Sequence, residues 1–263
     1  MLNLQVAGQI ATLVISHAVR RNAMTRAMWQ ALPGVLQSLA LDVRCLIIRG
    51  EGDHFCSGGD ISEYPSFRFE ESSLRAFHED DVAPALEALL ALDIPIVAMI
   101  AGHCMGGGLE IASCADIRIA SDSATFGAPI AKLGMPMAQR ELAIVLRAAG
   151  EATVREMLLE AKVLNAQEMK ARGFLQRVVP DAQLRQEAQA TAERIAALSP
   201  QAAKLNKQFL RAFFNKNSPL AGIKPAQSAI NSIPTDSYAY ANSAEHREGI
   251  SAFLAKRAAQ FNP

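Results

Sequence analysis

The chain is poor in the features that mark several protein classes. It has four cysteines in 263 residues, Cys45, Cys56, Cys104 and Cys114. They sit in apolar or glycine-rich contexts, as reduced intracellular thiols do, so a disulfide framework is not expected. Charge of neither sign is in excess: Lys plus Arg and Asp plus Glu number 26 each. A neutral chain without a Lys/Arg tract has no field to draw nucleic acid or an anionic membrane surface, so any recognition of an anion must be local. Long hydrophobic runs are missing. The longest, Ile94 to Ala101, contains Pro95 and falls far short of the ~20 residues a membrane helix needs. Met1-Leu2-Asn3-Leu4 lacks the basic start and apolar stretch of a secretory signal, so the expected compartment is cytoplasmic. No internal repeat or low-complexity linker is present. The first glycine-rich segment holds no G-x-G-x-x-G, which weakens a dinucleotide-binding reading.

What the chain has is apolar content, 50% of its residues, enough for one large domain or a domain with a helical appendage. Leu2–Val6 and Ile10–Ser16 read as a hairpin around Ala7-Gly8-Gln9. Asn22 to Leu41 reads as a helix that Pro33-Gly34 should kink or restart. Val43–Arg49 and Ile94–Ile100 read as buried strands, and Ser72–Leu92 as a helix between them. Leu109–Cys114 is a short helix, Asp116–Ala120 a strand and Leu175–Val179 a last strand. Helices are expected at Glu141–Ala149, Glu151–Glu160, Ala166–Arg172, Asp181–Leu198, Pro200–Phe214 and Ser243–Gln260. The alternation predicts an α/β core with parallel pairing over residues 1–180. A helical region, 181–263, follows and should pack on its own core or on a partner subunit.

Two glycine-rich segments carry the chemistry. The first is His54-Phe55-Cys56-Ser57-Gly58-Gly59-Asp60-Ile61; the second runs from Ala101-Gly102-His103-Cys104-Met105 into Gly106-Gly107-Gly108-Leu109-Glu110. Each follows an apolar run that reads as a strand. Glycines there let backbone N–H groups approach a ligand. Two N–H groups from separate loops, aimed at one carbonyl oxygen, make an oxyanion hole. A helix beginning near Gly107 adds the positive end of its dipole. Glu110 lies in the first turn of that helix, among apolar neighbours. It is the candidate general acid or base, the alternative being a surface carboxylate that complements the dipole. Asp60 reads as the cap of a following short helix rather than a chemical group. A metal site of His54, Cys56, His103 and Cys104 is disfavoured, because it needs inward side chains where the loops need backbone. Cys104 with His103 as a nucleophile pair is disfavoured because adjacent residues of an extended loop point apart. Trp29, Met28 and Leu32 read as core. Met105, Met135 and Met137 are candidates to line an adaptable pocket.

These segments resemble the enoyl-CoA hydratase/isomerase, or crotonase, family. Phe55 to Ile61 is similar to its F-x-A-G-A-D-[IL] loop and Ile100 to Ile117 to its V-x-G-x-x-x-G-G-G-x-E-[LI]-A-x-x-x-D-[IL] segment. Thr125-Phe126-Gly127-Ala128-Pro129 with Leu133-Gly134-Met135-Pro136 resembles the next block, and Arg247 to Arg257 the C-terminal helix. The resemblance spans nearly the whole chain in order. It implies a spiral of ββα units with a helical C-terminal trimerisation region, an acyl-CoA thioester as substrate, no metal or redox cofactor, and a homotrimer or dimer of trimers. It implies that Gly59 and Gly107 hold the thioester oxygen and that Glu110 moves a proton. It assigns Cys56, Ser57, Gly58, Asp60, Ile61, Gly106, Ile130 and Met135 to acyl-CoA binding. Phe253 and Lys256 fall near the adenosine-phosphate end, where a lysine would supply the local cation that a neutral protein needs for phosphate.

One position departs from the pattern. Family hydratases carry a second glutamate after the F-G-x-P block, and this chain has Ile130, which can neither activate water nor carry a proton. The glycine-rich stretch that follows in the family is replaced by Met137-Ala138-Gln139-Arg140-Glu141. Gln139 and Glu141 are possible substitutes, but both are expected on a helix surface. Three readings compete: double-bond isomerisation or another enolate reaction, hydration with an unidentified second water-activating group, and a non-catalytic acyl-CoA-binding relative. A thioesterase is disfavoured for want of a placed nucleophile.

Overall fold

A computed structural model describes residues 1–216 and 237–261. The N-terminal apolar runs form the expected hairpin, β1 (Leu2–Ala7) and β2 (Ile10–Ile15), with Ala7 opposite Ile10. β3 (Cys45–Gly50) and β4 (Ile96–Ile100) add to it in parallel. Three short strands come next: β5 (His103–Met105), inside the second glycine-rich segment, β6 (Ile117–Ser121) and β7 (Thr125–Gly127). The last two are β8 (Val163–Asn165) and β9 (Arg177–Val179). The six-stranded sheet has the order β1-β2-β3-β4-β6-β9 and is parallel from β2 onward; β5, β7 and β8 make a separate three-stranded sheet. β3 and β4 are almost entirely buried, as continuous apolar strands covered on both faces should be.

One face is covered by α1 (Arg26–Gln37) and the helical stretch from residue 71 to 91. α1 buries Met28, Trp29, Leu32 and Leu36 at helical spacing and runs through Pro33 without a break. The helix does not restart there: one lost backbone hydrogen bond is outweighed by four buried apolar side chains on one face. The stretch 71–91 is not one regular helix. α2 (Glu71–Ala76) passes into a π-helical turn (Phe77–Val82) and then α3 (Ala83–Ala91). Asp81 in this turn is buried and accepts hydrogen bonds from Arg26 Nε at 2.6 Å and Gln30 Nε2 at 2.9 Å on α1.

α4 (Gly107–Ser113) packs against α5 (Gln139–Ala149), which is followed by α6 (Glu151–Leu159) and α7 (Ala166–Ala171). α8 (Asp181–Ala196) covers the other face of the large sheet. Its Leu184, Ala188, Ala192 and Ala196 pack on Ile10, Cys45, Ile47, Val97 and Ile119. The first helix of the 181–263 region therefore docks on its own core, and alanines four apart let it approach closely. α9 (Pro200–Lys216) is tied to the α3–β4 connection: Lys207 Nζ donates to the Ile94 carbonyl at 2.7 Å, and Arg211 pairs with Asp93 at 2.8 Å. α10 (Ala244–Leu254) carries exposed Ile250, Phe253 and Leu254.

Candidate active site

Because β3 and β4 are parallel neighbours, the chain leaves both at the same edge, where open α/β sheets place ligands. The two glycine segments emerge there side by side and are sewn together. Cys56 N–H donates to the His103 carbonyl and Met105 N–H to the Cys56 carbonyl, each at 2.9 Å. Met24 joins them: its N–H donates to the Gly58 carbonyl, and Asp60 N–H donates to its carbonyl, both at 2.8 Å. In this parallel bridge Met24 pairs with the residues flanking Gly59, so the N–H of Gly59 itself faces the other way. Neither the Gly59 nor the Gly107 N–H has a hydrogen-bond partner among the described residues. Gly107 opens α4, where first-turn N–H groups have no intrahelical acceptor. Two glycines are demanded by geometry. Gly58 has φ 104°, and a Cβ on Gly108 would stand 2.5 Å from the Cys56 carbonyl oxygen.

Glu110 sits in the first turn of α4, half-buried, with Leu109, Ile111 and Ala112 buried around it. Its carboxyl is pushed up to about 8, first by burial and next by the negative charge of Glu141, with Arg68 acting in the opposite direction. At neutral pH the group is therefore mostly protonated and able to give a proton as well as, when ionised, to take one.

A cavity of about 530 Å³ is lined by Ile61, Tyr64, Arg68, His78 and Met135, with Leu74, Leu133 and neighbouring residues completing the wall; Glu110 is not in that lining, but the charge of its Arg68 acts on Glu110. Tyr64 and Arg68 join this cavity to the glycine loops. The Tyr64 hydroxyl occupies the space a Cβ on Gly59 would need. Arg68 Cζ lies 4.4 Å from the Tyr64 ring centroid. Burial raises the Tyr64 phenol above its ordinary value, and the Arg68 charge works against that rise.

The predicted residues divide by placement. Gly58, Gly59, Gly106, Gly107 and Glu110 come together on the loop edge, and Ile61 and Met135 line the cavity. Met105 and Met137 do not line it. Ile130 is partly buried in a 3₁₀ turn, Pro129–Leu133. Cys56 is buried, and burial pushes its thiol up to about 12; burial also raises the Cys104 thiol well above its ordinary value, which suits core thiols and not nucleophiles. The Ser57 hydroxyl donates to the Arg20 carbonyl at 2.8 Å. Asp60 caps the 3₁₀ helix Ile61–Ser66, accepting from Ser62 N–H at 3.0 Å and from the Ser62 hydroxyl at 2.6 Å. The His54 and His103 rings stack at 4.6 Å. Phe253 and Lys256 are exposed at the end of α10 and do not line this cavity.

One expectation is overturned. Gln139 is exposed, but Glu141 is not a surface residue: it is 2% exposed, and its carboxylate meets His78 Nδ1 at 2.9 Å. Its position in the first turn of α5 turns it inward against the helix bearing His78. Tyr64, Arg68 and His78 went unnoticed in the sequence. They lie in a polar stretch without a motif, and only the pairing of Tyr64 with Arg68 four residues on gives a local signal.

Comparison with known proteins fits this geometry. The enoyl-CoA hydratase/isomerase family model matches residues 6–263. A Mycobacterium tuberculosis protein named "Probable enoyl-CoA hydratase echA8" is 34% identical over 220 residues, covering 84% of this chain and 80% of its own. The mevalonyl-coenzyme A hydratase sidH of Aspergillus fumigatus is 30% identical over 220 residues, covering 82% of this chain and 77% of its own. Among solved structures, an enoyl-CoA hydratase/carnithine racemase from Magnetospirillum magneticum superposes with a TM-score of 0.88 at 33% identity, over 99% of this chain and 95% of that one. With family model, sequence relatives and fold agreeing over most or all of its length, the chain belongs to the enoyl-CoA hydratase/isomerase family of acyl-CoA enzymes.

Proposed function

We propose that the protein develops and quenches enolate charge on an acyl-CoA thioester, with Glu110 as the proton-transfer group. The thioester oxygen is held by the N–H groups of Gly59 and Gly107. The observation that carries this reading is the pair of N–H groups without partners, on two loops bonded to each other, beside a carboxyl group raised to about 8. Donors of this kind are preorganised, because the loop hydrogen bonds are made before substrate arrives, and each is worth ~3 kcal/mol of barrier. As charge moves onto the oxygen, Cα becomes basic, and neutral Glu110 can protonate it. The reverse step, removal of a Cα proton, uses the ionised form. No metal or redox cofactor enters this reading, since the backbone donors do the work of a Lewis acid.

The relatives' names, hydratases of enoyl and mevalonyl thioesters, support a Cα=Cβ substrate. A homotrimer or dimer of trimers is the proposed assembly. It is supported by the exposed apolar residues Leu210 and Phe213 on α9 and Ile250, Phe253 and Leu254 on α10. In such an assembly Phe253 and Lys256 would meet the CoA phosphates of a neighbour. No described helix is long and apolar enough to cross a membrane, and we place the enzyme in the cytoplasm.

The test is exchange of Cα hydrogens of butyryl-CoA in deuterium oxide, followed by mass spectrometry. The wild-type protein should incorporate deuterium, and Glu110→Gln should slow this by ~10³-fold or more. Retention of the wild-type rate by Glu110→Gln removes Glu110 from the mechanism. Tight binding of the thioester without any exchange would favour the non-catalytic relative.

A further inference from the structure

We propose that His78, held by Glu141, is the second acid/base group of this site and supplies the water activation that Ile130 cannot. The inference rests on the enolate reading above and adds the hydration step to it.

His78 is a cavity-lining residue, and its side chain is 20% exposed. Both ring nitrogens are engaged, and the partners fix which one carries the proton. Arg68 Nη2 stands 3.4 Å from Nε2. A guanidinium only donates, so Nε2 is the acceptor. The proton is then on Nδ1, which donates to Glu141 Oε1 at 2.9 Å. A carboxylate behind one ring nitrogen and a lone pair held only by a long contact on the other is the arrangement of an oriented general base. The Arg68 contact is long, and the O–H of a water entering the cavity can compete with it for that lone pair.

The surrounding fold holds the ring in place from three sides. His78 lies in the π-helical turn Phe77–Val82, a feature that recurs at functional sites. Asp81 of that turn is anchored to Arg26 and Gln30 on α1. Glu79 is anchored to Arg140 on α5 at 2.8 Å. Glu141 follows Arg140 directly, so the segment that replaces the family's glycine-rich stretch supplies both the clamp and the carboxylate. Arg68 also links the ring to the other proton-transfer group, since its charge acts on Glu110.

In the hydration step, His78 Nε2 takes a proton from water as the oxygen bonds to Cβ. The Cα=Cβ electron pair moves to the thioester oxygen, held by Gly59 and Gly107. Neutral Glu110 then gives its proton to Cα as the enolate collapses. The proton left on His78 passes through solvent to Glu110, and both groups are restored. Glu141 is a positioning residue, because it touches only the imidazole.

Two assays on the full-length protein separate this from the enolate reading: crotonyl-CoA hydration, read as ultraviolet loss of the conjugated thioester, and butyryl-CoA exchange as above. In His78→Gln the ratio of hydration to exchange should fall by ~100-fold or more, with thermal unfolding reporting an intact fold. In His78→Ala, added imidazole should restore part of the hydration rate. Glu141→Gln should lower kcat for hydration by ~10-fold with KM little changed. An unchanged ratio in His78→Gln, or wild-type exchange without hydration, overturns the role of His78 and leaves the enolate reading standing. Absence of both activities in the wild type would overturn the enolate reading itself, and this proposal with it.

Discussion

The two walls of the site are built from different materials. The wall formed by the glycine loops is backbone: unpartnered N–H groups at Gly59 and Gly107, fixed by hydrogen bonds among Cys56, His103, Met105 and Met24. The facing wall, from residues 61–78 and 130–141, is side chain: Tyr64, Arg68, His78 and Met135, with Glu141 behind. A backbone wall tolerates sequence change only where no Cβ intrudes, and it offers one service, stabilising negative charge. A side-chain wall can be rewritten residue by residue. The difference teaches where reaction choice resides. In the proposed reaction the loops favour an enolate, and the opposite wall sets what happens to it.

The largest expected effect that would break this division is on Glu110, the one side chain on the backbone wall. Loss of ~10³-fold in exchange for Glu110→Gln, about 4 kcal/mol of barrier, should exceed any effect of the opposite wall on the same assay. Next is Gly108→Ala. Its methyl group would press on a main-chain oxygen, Cys56 O, and not on a flexible side chain, so the loops must part. We expect lost stability of ~1–3 kcal/mol by chemical denaturation together with loss of exchange; a variant with native stability and rate would show the loops to be pliable.

A third effect follows from titration. Glu110 is raised from 4.5 to about 8 in the folded chain, so between these values the folded state holds more protons than the unfolded one. Its contribution to stability is present below about pH 4.5 and is lost as pH rises through about 8. The residue is only half-buried, so the change should be on the order of 1–2 kcal/mol. Denaturation of wild type and Glu110→Gln at pH 5 and 9 should show the difference between them shifting in favour of the variant at the higher pH. Glu141→Gln removes a charge that raises Glu110, so the pH at which exchange levels off should move down. The smallest effect is Asp60→Ala, which removes the cap on the 3₁₀ helix Ile61–Ser66 for about 1 kcal/mol and should alter exchange only slightly.

The backbone wall was legible in the sequence because its requirements are local. Glycines must follow strands β3 and β4, and a carboxylate must fall in the turn after Gly107. Strand and helix order was legible for the same reason. The facing wall was not, because its contacts are distant: His78 meets Glu141 across 63 residues, and no periodicity reports such a pair. Glu141 read as a surface residue because the neighbouring Arg140 and exposed Gln139 are polar. The three-residue strands β5, β7 and β8 are too short to show alternation. The helix does not restart at Pro33 because burial of Trp29 and its neighbours on α1 is stronger than the local rule.

The π-helical turn at Phe77–Val82 can also be counted in residues. A π turn holds about one residue more than the α-helical path it replaces, like an insertion absorbed without unwinding the flanks. Removing one residue between Glu79 and Val82 would let the stretch close into plain α-helix with Ala83–Ala91 still seated on α1. The flanks would keep their register, and the residues of the turn itself, His78 among them, would take up new directions. The identity of one cavity wall thus hangs on the length of the chain at that turn, and a single lost codon would convert this site into one with Glu110 alone.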